Sequence, residues 1–76
     1  MINKELDTIL KNKIFYDMDE YKCHIIWHNE EVIVWKYYGV HRHNWYYNCC
    51  SFYMFKYNIG RANFTIIKAL TNNEGK

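Results

Sequence analysis

The sequence predicts an α+β fold, with an N-terminal helix packed on an antiparallel sheet of three or four strands. Three observations predict it. Apolar residues recur at helical spacing near the start of the chain. Two strand-like runs then flank a short polar turn at Asn29-Glu30. Beyond them lies a stretch dense in Trp, Tyr and Phe, residues that favour a pleated, half-buried surface.

The helix is placed at about Lys4 to Lys13, where Ile2, Leu6, Ile9, Leu10 and Lys13 share one face. Asn3 suits an N-cap, and Glu5 and Asp7 stand in the first turn, where the helix dipole favours acid. Such an apolar stripe is ordinarily core. Asp17-Met18-Asp19-Glu20 is an acidic connector, expected to be a solvated turn. It lacks the further ligands and the glycine of a calcium loop.

Tyr21 to His28 and Glu31 to Tyr38 read as a hairpin. A two-residue turn would set His28 opposite Glu31, Ile26 opposite Ile33, His24 opposite Trp35 and Lys22 opposite Tyr37. Side chains alternate between faces, so this register gives two distinct sets. Tyr21, Cys23, Ile25, Trp27, Val32, Val34, Lys36 and Tyr38 are expected to receive the helix. Lys22, His24, His28, Glu31, Ile33, Trp35 and Tyr37 are expected to form an amphipathic outer face. A loop over Gly39–Asn44 comes next.

Trp45 to Tyr57 is apolar on both alternating faces. A straight strand of that length would reach roughly 40 Å or more, so a bend is expected near Asn48-Cys49-Cys50-Ser51. Aromatic enrichment favours strand over helix here. Asn58–Asn63 reads as a turn. Phe64 to Leu70 reads as a last strand or a short helix, with Thr65-Ile66-Ile67 favouring strand, and Thr71–Lys76 as a polar tail.

Size and composition bound the function. At 76 residues the chain is expected to form one domain over 1–76. A domain of this size buries only about 60% of its unfolded surface. Half of the residues are hydrophobic, which sets the chain apart from disordered sequences. A net charge of +2 is far short of a nucleic-acid-binding tail. The N-terminus turns charged at once, and the longest uncharged run, His43 to Phe55, is too short for a membrane span. Three cysteines without framework spacing fit a reduced, cytoplasmic protein.

The aromatic excess is the main functional signal. Trp35, Tyr37, Tyr38, Trp45, Tyr46, Tyr47, Phe52, Tyr53, Phe55 and Tyr57 fall in one stretch. The absence of proline and the wealth of Asn, Lys, Ile and Tyr match AT-rich codon usage, which would spread Tyr along the chain. Here every tyrosine but Tyr16 and Tyr21 lies between residues 37 and 57. About half of the ten rings are expected to be core.

Four chemistries are open to these residue types. His24, His28, His41, His43, Cys23, Cys49 and Cys50 are zinc-type donors, but no pair has the spacing of a second pair to complete a site. A small zinc-stabilised domain is one alternative; no metal or other cofactor is expected. Cysteines and histidines also invite a nucleophile reading, yet no elbow, oxyanion loop or orienting acid accompanies them, so no enzyme is expected. Lys22, His24, Trp35, Tyr37, Arg42 and Lys56 interleave base with aromatic ring, as single-strand binders do. Tyr, Trp and Arg are also the residues of protein-interface hot spots.

The expected function is therefore a protein-binding module, with single-stranded nucleic acid as the alternative ligand. The expected surface is Lys22, His24, Trp35, Tyr37, His41, Arg42, His43 and Trp45. The same surface could close a homodimer. In profile the chain resembles small accessory proteins of phages and mobile elements in AT-rich bacteria. That resemblance implies an anti-defence or anti-CRISPR-like inhibitor of a host protein. The chain is not acidic, so steric or allosteric contact is expected rather than DNA mimicry.

Overall fold

The computed structural model describes residues 4–66. Helix α1 (Lys4–Asn12) is followed by strands β1 (Ile14–Tyr16), β2 (Lys22–His28), β3 (Val32–Gly39) and β4 (Asn44–Ser51), then helix α2 (Phe52–Gly60). The strands form one antiparallel sheet in chain order. The α+β expectation holds, with four strands.

Helix α1 turns Ile9 into the core, with Leu6 and Leu10 packed beside it. It stops at Lys13, whose φ of 62° places it in the left-handed region. The Lys13 N–H still donates to the Ile9 carbonyl at 2.7 Å, and its own carbonyl accepts from Ile25 at 2.9 Å. The helix end thus becomes the start of β1 within one residue. Asn3 and Ile2 lie outside the described residues.

Strand β1 was hidden in the sequence, because three residues carry no visible alternation. It pairs Ile14 with His24, Phe15 with Cys23 and Tyr16 with Lys22. Between β1 and β2 the acidic connector is a turn, as expected. Asp17 Oδ1 accepts from the backbone N–H groups of Asp19 and Tyr21.

The β2–β3 register corrects the sequence reading. The loop is longer than two residues: His28 pairs with Ile33, and Asn29 organises the turn between them. Its Oδ1 accepts from Glu31 and Val32, while its N–H donates to the Val32 carbonyl. A bulge at Ile26 shifts the register again, so Ile25 pairs with Trp35 and Cys23 with Tyr37. The faces of β3 are therefore exchanged. Ile33 and Trp35 are buried with Cys23 and Ile25, and Trp27 moves outward.

The stretch after Trp45 bends where expected, but beyond the bend the chain is helical. Ser51 caps α2, its hydroxyl accepting from the Met54 N–H at 3.0 Å. Phe52, Phe55 and Ile59 then repeat at helical spacing toward the core. The predicted turn at Asn58–Asn63 begins three residues late, since Asn58 and Gly60 belong to α2. Of the predicted last strand, Thr65 makes an isolated bridge to Tyr16; positions 67–70 lie outside the described residues.

The core comprises Ile9, Phe15, Cys23, Ile25, Ile33, Trp35, Phe55 and Ile59. Phe15 is its hub, with ring centroids 5.3 Å from Trp35, 5.2 Å from Phe55 and 4.8 Å from Phe64. Burying each large side chain contributes about 1.5–3 kcal/mol. Both helices contribute to this core, so both lie on one side of the sheet. Among the described residues, no element covers the other side.

Candidate functional site

The uncovered side of the sheet carries the unusual chemistry. Its rows are set by the strand pairing and by the alternation of side chains. Ile14, His24, Lys36 and Tyr47 form one row across all four strands. Trp27, Val34 and Cys49 form the next toward one end. Tyr16 pairs with Lys22, and Tyr38 with Trp45, toward the other end.

Large apolar groups remain in water on this face. Trp27 is 53% exposed, Trp45 41% and Tyr47 68%. Trp45 is the centre of a cluster. The Tyr38 ring meets it edge-on at 5.4 Å, the His24 ring lies 5.8 Å away, and Lys36 Nζ stands 4.7 Å above it. The cation over the ring holds the indole in place while part of it stays bare.

The face is positive as well as aromatic. Lys22, His24 and Lys36 project from it, and none of the strands contains Asp or Glu. Burial, then Lys22 and Lys36, hold the His24 imidazole below its ordinary value of 6.5. The turn between β3 and β4 carries His41, Arg42 and His43, all exposed, and its His41 and Arg42 lie toward Tyr21, Tyr37 and Tyr46 rather than over the open face. The Arg42 N–H closes this turn on the Gly39 carbonyl at 3.1 Å, and His43 adopts a φ of 55°.

The predicted surface is thus divided by the structure. Lys22, His24 and Trp45 come together on the open face, whereas His41 and Arg42 line a separate cleft of ≈ 330 Å³ with Tyr21, Tyr37 and Tyr46 on the helix side of the sheet. Trp35 and Tyr37 do not join Lys22, His24 and Trp45: Trp35 is 5% exposed in the core, and Tyr37 packs beside it, stacked on Tyr46 at 5.7 Å and sharing the cleft of His41 and Arg42. The cause is the exchanged register of β3. The residues missed were Trp27, Lys36, Tyr38 and Tyr47. Lys36 was the available signal, since it marks the parity of β3 that carries a charge. Of the ten clustered aromatics, Tyr38, Trp45, Tyr47, Tyr53 and Tyr57 are exposed, and the other five are buried or half-buried.

Other sites are less developed. An open cleft of ≈ 540 Å³ lies between the β2–β3 loop and α2, lined by His28, Asn29, Glu30, Glu31 and Phe52. Its carboxylates stand on an exposed turn. Among the described residues no three of His, Cys, Asp and Glu gather to hold a metal ion, and no polar or charged side chain is fully buried. Cys23 lies in the core. Burial, with the adjacent Asp17 charge second, pushes its thiol up to about 12. Cys49 is exposed on the open face. No described helix is long and apolar enough to cross a membrane.

Comparison with protein-family models, with characterised proteins and with solved structures finds no match for this chain.

Proposed function

We propose that this protein is a binding module that acts by surface contact rather than by turnover, with the open sheet face as its working surface. One observation carries the reading. Trp27, Tyr38, Trp45 and Tyr47 stand exposed on one side of a sheet whose other side already holds the core. These rings complete no interior, and large exposed apolar patches mark interaction sites. Tyr and Trp suit a surface that is dry when occupied and wet when free.

An accessory or inhibitory protein of phage or mobile-element type, working in the cytoplasm, fits this design. It would occupy the surface of a larger molecule through its rings. Affinity capture from host extract, run with and without nuclease, tests the reading. Wild-type protein should retain an occupant that Trp27→Ala and Tyr47→Ala lose, while both variants melt close to wild type. Equal retention by those variants would remove the open face from the function.

A further inference from the structure

The distribution of charge narrows what the open face can receive. Of the seven Asp and Glu residues among the described residues, none lies in a strand. Glu5 and Asp7 belong to α1, Asp17, Asp19 and Glu20 to the β1–β2 connector, and Glu30 and Glu31 to the β2–β3 loop. The face itself offers the cations Lys22 and Lys36, with His24 between them, among rings. Aromatic rings mixed with cations and free of carboxylates form a surface complementary to a polyanion that exposes flat, apolar faces.

We infer that the open face is a stacking platform for single-stranded nucleic acid, a deepening that rests on the contact-surface reading above. Bases would lie on Trp45, Tyr47 and Trp27, and the phosphates would run past Lys22 and Lys36. An open antiparallel sheet is well suited to this task. Rings on neighbouring strands present separate platforms, and unstacked bases can splay onto them. A duplex keeps its bases stacked and paired, so it satisfies the cations and leaves the rings bare.

Two other occupants fit the charges less well. A second copy packed face to face through a two-fold axis would bring Lys22 and Lys36 toward the same cations of its partner. Like charges brought together across an interface are strongly unfavourable. Strand addition at the β4 edge meets a different obstacle. The N–H groups of Trp45 and Cys49 are already taken by the side-chain oxygens of Asn44 and Asn48, at 2.8 and 3.0 Å.

Fluorescence anisotropy with labelled oligothymidylate and oligouridylate of roughly 12 nucleotides tests the inference, with a duplex of equal length as control. The expected result is saturable binding of at least one single strand, tighter than the duplex. With two phosphates neutralised, affinity should fall about sevenfold between roughly 50 and 200 mM salt. Trp45→Ala should weaken binding by about 5- to 100-fold. Tyr47→Ala, at a more exposed site, repeats the test where Trp45→Ala perturbs the fold, as judged by circular dichroism. The DNA and RNA arms identify the natural sugar.

No binding at low salt, or binding unchanged by Tyr47→Ala, overturns the inference. In that case, burial of the face against a protein or a second copy, read by hydrogen exchange, would leave the contact-surface reading standing. An oligonucleotide that binds elsewhere, with the face never protected, would overturn both.

Discussion

At the scale of single residues, the three tryptophans divide the molecule. Trp35 is buried against Phe15, Phe55 and Phe64, whereas Trp27 and Trp45 stand on the open face. Trp35→Ala should cost about 3–5 kcal/mol, through lost burial and the cavity left behind. A domain of this size is stable by about 4–11 kcal/mol, so that variant should lose a large share of its stability and unfold at distinctly lower urea than wild type. Trp27→Ala should lie within about 0.5 kcal/mol of wild type. Urea denaturation of the two variants checks both values. The thiols divide in the same way. In native protein, Cys49 should react first with a disulfide reagent. Cys50, whose thiol is raised by burial and then by Cys49, should react slowly, and Cys23 only on unfolding. His24 supplies a pH dependence. Its folded value lies below 6.5, so the unfolded chain takes up the proton first. Its contribution is complete above that pH and is lost as pH falls through about 6.5 toward the depressed folded value. The melting temperature of wild type should therefore fall more steeply than that of His24→Gln between neutral pH and about pH 5.

At the scale of elements, the end of β4 shows how one cap redirects the chain. Ser51 stops the strand and starts α2 by accepting the Met54 N–H. Ser51→Ala should destabilise the protein by about 1 kcal/mol, measured by thermal or urea unfolding. The same junction shows what the sequence could reveal. Helix α1 was legible because Leu6, Ile9 and Leu10 repeat without interruption. Helix α2 was not, because its core positions Phe52, Phe55 and Ile59 are interleaved with Tyr53, Met54 and Tyr57. Apolar residues on every side hide a helical period, and aromatic content then argues for strand. The hairpin was legible as a pair of strands but not in its register. Asn29 binding two N–H groups and the extra residue at Ile26 are local backbone events, and alternation alone cannot reveal them. That shift moved Trp35 and Tyr37 out of the predicted surface and brought Lys36, Tyr38 and Tyr47 into it. Gly39 records the tight fit on the core side. A Cβ there would stand 2.6 Å from Cε2 of Tyr46, so the ring stacked on Tyr37 needs a glycine beside it.

At the scale of the whole molecule, the sheet separates two tasks. One side is closed by both helices and holds the fold; the other is left as a bare surface of rings and cations without acid. Among the described residues, carboxylates are confined to a helix and to connectors, so the face keeps its positive character although the whole chain has a net charge of only +2. Overall charge therefore understates the positive character of this face, which depends on where the charges are placed. Amide chemical-shift mapping tests most directly whether the open face is where the ligand sits. On titration with the oligothymidylate, the resonances that move should be those of Lys22, His24, Trp27, Lys36, Tyr38, Trp45 and Tyr47. Shifts confined to α1 and α2, or none at all at low salt, would contradict it.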